Sequence, residues 1–130
     1  MRNFNPTSPW NPSESVELSP QEYELQVVTW LKSVGDSFED FSVNHLEYLS
    51  GEGGQYEFDA VAKFSALKGA RFVILVECKK HNRPVEREDL LTLWAKLQDT
   101  NAQKAMVFAT CGFQSGALEY AKSKNIATIT

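Results

Sequence analysis

The stretch "FVILVECKKHNRPV", Phe72 to Val85, begins as an apolar run and ends in charged residues. Five apolar residues, Phe72 to Val76, lead directly into Glu77, and Lys79 follows two positions later. A short run that is apolar at every position predicts a strand buried on both faces, and therefore a central one. Charged side chains are rarely buried unless they are paired or bind a metal ion. The charged end of this strand is therefore the first candidate for a functional site.

The composition is that of one compact soluble domain, with 130 residues of which 42% are hydrophobic and 23% charged. No apolar run approaches the roughly 18 residues that a membrane span needs, and the N-terminus lacks the apolar centre of a signal peptide. We therefore expect no membrane partner. The two cysteines, Cys78 and Cys111, have no C-x-x-C spacing, which argues against a disulfide framework or a zinc cluster. A reducing, cytoplasmic setting is expected.

The charge is distributed unevenly along the chain. The net charge of −4 by itself argues mildly against nucleic acid as a partner. Residues 14–57 carry ten acidic residues and one basic residue, Lys32, whereas residues 59–87 carry seven basic and three acidic residues, a local charge of 7 − 3 = +4. This basic segment can hold a polyanion, and the alternative is two solvated faces of opposite sign.

Local signals divide the chain into a tail and one folded domain. Residues 1–18 contain three prolines and no periodicity, which predicts a flexible or extended tail, and residues 19–130 form the domain. Ser19 and Glu22 have the spacing of a capping box and Gly35 that of a helix end. The apolar stripe of this helix is predicted at positions 23, 27, 30, 31 and 34. Glu24 lies at the edge of that stripe, so a buried carboxylate needs an explanation there.

The remaining segments predict strands and helices in alternation. Strands are predicted over 40–49, 56–64, 72–79, 105–110 and 126–130, and helices over 86–99 and 115–125. Within the second strand, alternation puts Glu57, Asp59 and Val61 on one face and Phe58, Ala60 and Ala62 on the other. The order αβββαβαβ predicts an α/β fold with a central mixed sheet flanked by helices, beginning with a three-stranded meander.

The strand end can support metal-assisted hydrolysis. Glu77 and Lys79 share one face of the third strand, Cys78 points to the other face to fill core, and Asp59 lies on the neighbouring strand. Mg²⁺ prefers carboxylate and carbonyl oxygens, which Asp59, Glu77 and the main-chain carbonyl of Cys78 would supply. Lys79 would orient or deprotonate a water and neutralise phosphate charge. The alternative is an ordinary ion pair at a strand end, worth roughly 0–1 kcal/mol. For the single histidines His45 and His81, a hydrogen-bonded surface role is the better interpretation.

A family resemblance begins at these residues. "D59…E77-C78-K79" resembles the D…(D/E)-x-K signature of the PD-(D/E)XK, restriction-endonuclease-like superfamily, whose core is αβββαβ. The segments "YELQVVTWL", "VECKKHNRPVEREDLLTL" and "KAMVFATCGFQSGALEYAKSKNIATIT" are similar, in this order, to the catalytic domain of Mrr-like restriction endonucleases. The similarity covers about residues 20–130, and "FATCGFQSGALEYA" is its most specific part. The chain departs from the family in "GEGGQYEFDA" before Asp59, and in Glu77 where many members carry glutamine.

The resemblance implies a set of site residues and a cofactor. Asp59 and Glu77 would be metal ligands, Lys79 the catalytic lysine, and Glu24 a helix carboxylate that touches the metal directly or through water. The implied cofactor is Mg²⁺, with Mn²⁺ as a substitute. The implied activity is that of a Mg²⁺-dependent DNA endonuclease of the restriction or defence type.

The remaining predictions concern the partners. Double-stranded DNA is the expected substrate, and its phosphates would be contacted by Lys80, Arg83 and Arg87. Because 130 residues leave no room for the separate DNA-binding domain of Mrr-like enzymes, we expect weak sequence specificity or a separate recognition subunit. A homodimer is also expected, since cutting both strands takes two sites. The alternative function is a non-catalytic module with the nuclease fold that binds DNA or, through its acidic N-terminal half, another protein.

Overall fold

The computed structural model describes Trp10 and residues 18–130. The predicted tail, residues 1–18, lies outside the described residues apart from Trp10 and Leu18. The elements are α1 (Pro20–Val34), β1 (Glu39–Gly51), β2 (Gly54–Ala66), β3 (Ala70–Lys79), α2 (Arg87–Thr100), β4 (Lys104–Ala109), α3 (Ser115–Lys124) and β5 (Ala127–Ile129). The predicted order αβββαβαβ is confirmed. No helix among the described residues is long and apolar enough to cross a membrane.

Helix α1 begins and ends at the residues that its sequence predicts. The Ser19 hydroxyl accepts a hydrogen bond from the Glu22 N–H at 3.1 Å, and the Glu22 carboxylate accepts one from the Ser19 N–H at 3.0 Å. The buried side chains of α1 are Tyr23, Val27, Val28 and Leu31. The prediction that Val34 faces the core is wrong, because this residue is 45% exposed. Val34 lies in the last turn of α1 and lines an open surface groove, which leaves its side chain exposed to solvent.

The five strands form one mixed sheet in the order β1-β2-β3-β4-β5. β1, β2 and β3 are antiparallel neighbours, and β4 and β5 continue the sheet parallel to β3. β3 is therefore the central strand, as the apolar run at 72–76 predicts. The central mixed sheet flanked by helices is confirmed.

The helices cover the two faces of the sheet and make two hydrophobic clusters. α1 covers one face, where its buried stripe packs against Ala60, Val76 and Phe108. α2 and α3 cover the other face, where Leu90 and Ala117 pack with Leu75. Neighbouring residues of β3 thus enter opposite clusters, and each fully buried aliphatic side chain contributes about 1.5–3 kcal/mol. This double burial explains why the run at 72–76 is apolar at every position.

Trp10 also packs on the α1 face. Its indole ring lies edge-on to Phe108, with ring centroids 5.1 Å apart, and edge-on to Trp30 at 5.5 Å. Such aromatic pairs contribute about 0.5–1.5 kcal/mol beyond the area that they bury. The Trp10 side chain thus adds to the hydrophobic cluster on this face of the sheet.

The hairpin of β1 and β2 changes its pleat at Asp59. The ladder pairs His45 with Ala60 and Glu47 with Phe58 but omits the pair between them, Leu46 and Asp59. Leu46 has a φ of 55°, in the left-handed region, which breaks the regular alternation of an extended strand. Phe58 therefore packs in the cluster under α2, whereas Ala60 belongs to the cluster under α1.

The prediction that Phe58 shares a face with Ala60 and Ala62 is therefore wrong. Ala62 packs with Ala60 under α1, and Phe58 packs with Val61 under α2. The alternation holds only within each half of β2, on either side of Asp59. Asp59 thus occupies a position at which β2 has no ladder partner on β1.

Candidate active site

The backbone ladder between β2 and β3 stops one residue before Asp59 and Glu77. Its last pair is Ala60 with Val76. Beyond this pair the two carboxylates take over the hydrogen bonding: Asp59 Oδ2 accepts the backbone N–H of Cys78 at 2.7 Å, and Glu77 Oε1 accepts the backbone N–H of Asp59 at 3.4 Å. Both carboxylates are thereby fixed in the gap between two strands of the sheet.

The Glu77 carboxyl group has a strongly perturbed environment. Burial, together with the neighbouring negative charge of Asp59, raises the pKa of Glu77 to about 7, although the charges of Lys79 and Lys96 oppose this shift. Two carboxylates this close in a partly dry site repel each other when both are ionised. A cation placed between them would remove that repulsion.

Lys79 and Cys78 leave β3 on opposite faces, as predicted. Glu77 and Lys79 line one cavity of about 110 Å³ together with Leu90, Leu93 and Lys96 of α2. Cys78 packs against the cluster under α1. Burial, with the negative charges of Asp59 and Glu24, raises the pKa of the Cys78 thiol well above its usual range, which disfavours the nucleophilic thiolate. Cys78 is thus a partly buried packing residue on the α1 face of this strand.

Glu24 has a hydrogen-bond partner that its sequence position does not reveal. Its carboxylate lies 2.7 Å from Nε2 of His45 on β1, and the Glu24 side chain is only 13% exposed. Its charge also reaches Cys78, so Glu24 approaches the strand end from the α1 side of the sheet. The expectation of a hydrogen-bonded role for His45 is confirmed, and its partner is the predicted site carboxylate.

The sequence as a whole matches a known family. A family model described as restriction endonuclease, Mrr_cat, matches residues 16–130. The chain belongs to this family. The resemblance to Mrr-like restriction endonucleases over about residues 20–130 is therefore confirmed, and the chain carries a restriction-endonuclease-like nuclease domain.

A solved structure shares the fold of this Mrr_cat domain. The crystal structure of AF1548, a protein of unknown function, matches it with a TM-score of 0.63 at 20% sequence identity. The match covers 81% of this chain and 56% of that one, so this chain spans little more than half of the length of AF1548. No curated protein matches the sequence. The AF1548 likeness supports the fold alone.

The donor set of the Mrr_cat domain fits a magnesium ion that keeps most of its water. Within Trp10 and residues 18–130, no group of three or more histidine, cysteine, aspartate or glutamate side chains is arranged to hold a metal ion. Mg²⁺ is commonly bound through one or two carboxylates plus water and substrate phosphate oxygens. Asp59 and Glu77 supply that number of carboxylates, and the raised pKa of Glu77 indicates a site that favours an added cation.

The arginines predicted to contact DNA have intramolecular partners. Arg83 Nη1 lies 2.9 Å from the Glu86 carboxylate, and Arg87 Nη2 lies 3.5 Å from that of Glu119. Arg87 Nε also donates a hydrogen bond to the Gly116 carbonyl at 3.2 Å. These ion pairs are exposed and each contributes at most about 1 kcal/mol, so a phosphate group can displace the carboxylates.

Lys96 is the site residue that the sequence did not reveal. It lines the same cavity as Glu77 and Lys79, and its charge acts on Glu77. The available signal was its position three residues after Leu93, a buried residue of α2, which turns Lys96 toward the sheet.

Proposed function

We propose that this domain is a metal-dependent endonuclease that hydrolyses DNA phosphodiester bonds. The observation that carries the proposal is the gap between β2 and β3, where Asp59 and Glu77 exchange hydrogen bonds with the backbone of the opposite strand. Lys79 lines a cavity with Glu77 on the same face. Two carboxylates and an amine held by a rigid sheet have the composition that metal-assisted phosphodiester hydrolysis requires.

The cofactor in this proposal is Mg²⁺, and Mn²⁺ substitutes for it. Asp59 and Glu77 would hold the ion, with the main-chain carbonyl of Cys78 as a third oxygen donor and Glu24 acting directly or through a water molecule. When bound, the ion lowers the pKa of water and withdraws charge from the phosphate oxygens.

Lys79 supplies the positive charge next to the reacting phosphate. Its ammonium group donates hydrogen bonds to the attacking water and to a nonbridging phosphate oxygen, where negative charge grows in the transition state. The water oxygen forms a new bond to phosphorus and gives up one proton, one ester P–O bond breaks, and the released alkoxide takes up one proton, so that protons balance. Fixed in place, such a donor needs no reorganisation during the reaction.

The substrate in this proposal is double-stranded DNA, met in a reducing, cytoplasmic setting. Both cysteines are free thiols, which agrees with that setting. The basic segment, residues 59–87, contributes phosphate contacts through Lys80, Arg83 and Arg87. Sequence specificity is weak or comes from a separate recognition subunit, and a homodimer would supply the two sites that cutting both strands needs.

Plasmid nicking tests the proposal. The purified chain should convert supercoiled DNA to the nicked form with Mg²⁺ or Mn²⁺, and a chelator should stop it. Asp59→Asn and Lys79→Ala should each lower the rate at least about a hundredfold, because each removes a group that acts on the reacting phosphate. Glu57→Gln is the matched control, since Glu57 is an exposed carboxylate two residues before Asp59 on the same strand. If the Asp59 and Lys79 variants cut as fast as the parent, the site assignment is wrong.

The second candidate is a DNA-binding module that keeps the fold without the chemistry. The observation that favours it is the Glu24–His45 pair. The Glu24 carboxylate contacts His45, and among the described residues it is not part of a group of side chains arranged to hold a metal ion. Titration calorimetry with Mg²⁺ or Mn²⁺ separates the two candidates. An endonuclease should bind the ion and lose that binding in Glu77→Gln, whereas the non-catalytic module should bind DNA with no Glu77-dependent uptake of the ion.

A further inference from the structure

A second lysine lies in the cavity beside Glu77 and Lys79. Lys96 comes from the third turn of α2 and lines this cavity of about 110 Å³ from the side opposite to the sheet. Its Nζ lies 5.9 Å from the ring centroid of Tyr56 and 6.0 Å from that of Phe58. The side chain is half-buried. Two elements that are distant in sequence, β3 and α2, thus bring two amines to one cavity.

Lys96 forms no ion pair with any of the described residues. Among the described residues, no carboxylate lies within ion-pair distance of its Nζ. The Glu77 carboxylate nearby accepts the backbone N–H of Asp59. The other carboxylate that lines the cavity, Asp89, accepts the backbone N–H of Glu86 at 3.1 Å. A half-buried ammonium group without a counter-ion is available to an incoming anion.

The aromatic side chains under Lys96 hold it in place. Cation–π contacts of this kind favour an ammonium group placed over the rings. The Tyr56 hydroxyl in turn donates a hydrogen bond to the Asp99 carboxylate, one turn after Lys96 on the same helix. A lysine that is already ordered loses less side-chain entropy on binding than a mobile one.

We infer that Lys96 binds a phosphate of the DNA backbone at the cleavage site, with its ammonium group donating hydrogen bonds to nonbridging oxygens. The inference rests on the proposed function and deepens it. Lys79 and Lys96 then provide two positive charges beside the two carboxylates Asp59 and Glu77, and a diester phosphate that enters between α2 and β3 meets both amines. Lys79 serves the reacting phosphate, and Lys96 positions the backbone from the helix side.

The test compares three variants in DNA binding. Lys96→Met keeps the aliphatic length and removes the charge, and Lys96→Arg restores the charge. Lys124→Met is the matched control, because Lys124 Nζ also lies over two rings, 5.2 Å from that of Trp94 and 5.8 Å from that of Tyr120, outside the cavity. Fluorescence anisotropy of a labelled duplex, in a chelator and at several salt concentrations, gives the affinity and its salt dependence. Thermal unfolding of all three variants checks that they fold.

Lys96→Met should bind the duplex about fivefold more weakly at 0.1 M salt, and its log–log salt slope should fall by about 0.9, the value for one lost phosphate contact. Lys96→Arg and Lys124→Met should stay near the parent in both quantities. A Lys96→Met slope equal to that of the parent, in a parent chain that binds and nicks DNA, overturns the Lys96 inference alone. A parent chain that neither binds nor nicks DNA overturns the proposed function and this inference together.

Discussion

Glu77 couples the stability of the domain to pH. Its pKa of about 7 in the folded chain lies above the ordinary value of 4.5, because burial and the charge of Asp59 disfavour the ionised form. The folded state therefore keeps a proton that the unfolded state has lost between these two values. Stability from this group is fully present below pH 4.5 and is lost as the pH rises through about 7.

We expect the free energy of unfolding, measured in a chelator, to fall by up to about 3 kcal/mol more in the parent than in Glu77→Gln between pH 5 and 8. Urea unfolding at several pH values measures this difference. Glu57→Gln, on the exposed part of β2, should follow the parent. If the free energy of unfolding changes with pH in the same way for the parent and Glu77→Gln, the Glu77 carboxyl group does not have a raised pKa in the folded chain.

The sequence predicts single residues well where the chemistry is local and less well where it depends on distant partners. The E-x-K spacing places Glu77 and Lys79 on one face because β3 is regular up to its end. The partner of Glu24 could not be predicted, since His45 lies 21 residues away and meets it only through the packing of α1 on the sheet. The sequence does not distinguish Lys96 from the other charged residues of an amphipathic helix, because its place beside Glu77 depends on how α2 packs on the sheet.

At the scale of elements, the β1–β2 hairpin is fastened to the end of α2. Both carboxylate oxygens of Asp99 accept the Gly53 N–H, at 2.9 and 3.1 Å, and the carboxylate also accepts the Tyr56 hydroxyl. The hydrogen bond from Tyr56, with that from Gly53, lowers the pKa of Asp99, so the carboxylate stays ionised at neutral pH. These hydrogen bonds of Asp99 with Gly53 and Tyr56, called the Asp99 clasp below, hold β2, which carries Asp59, against α2, which carries Lys96.

The clasp leaves no room for a side chain at Gly51. A Cβ added there would lie 2.4 Å from Asp99 Oδ2 and 2.8 Å from the Asp99 carbonyl oxygen. Gly51→Ala should therefore destabilise the domain by about 1–3 kcal/mol, because backbone must move to relieve the overlap. Thermal unfolding measures the loss. Gly116→Ala is the control, since a Cβ there meets only the flexible end of the Arg87 side chain, at 3.3 Å, and alanine is favoured over glycine within α3, so this variant should be at least as stable as the parent. Equal melting temperatures for both variants would show that the clasp is loose.

Elements with a local sequence signal were predicted correctly, whereas the change of pleat in β2 has no such signal and was missed. The capping box of Ser19 and Glu22 marks α1 because both hydrogen bonds lie within four residues. The change of pleat at Asp59 has no such marker, since the left-handed residue opposite to it is Leu46 rather than a glycine. The clasp of Asp99 on Gly53 joins residues 46 apart, beyond the reach of any local pattern.

At the scale of the whole molecule, the charge decides where DNA can approach. The net charge is −4, so the chain as a whole repels a polyanion. Exposed basic residues of the segment 59–87 lie near both ends of β3: Arg83 and Arg87 follow the site end of β3, whereas Lys68 and Arg71 lie at the hairpin turn where β3 begins. Attraction by charge alone would involve the basic residues at both ends of β3, whereas docking at the proposed site would involve only those at its site end.

Two double variants of equal charge separate these possibilities. Arg83→Ala with Arg87→Ala should lower the log–log salt slope of duplex binding by about 1.8, two contacts at about 0.9 each, because phosphates replace Glu86 and Glu119 as their partners. Lys68→Asn with Arg71→Ala removes the same charge at the other end of β3, and asparagine tolerates the φ of 60° at position 68. This control should bind almost as the parent does. If both double variants weaken binding equally, the DNA responds to the net charge of the segment, and the docking of its phosphates beside Lys79 is wrong.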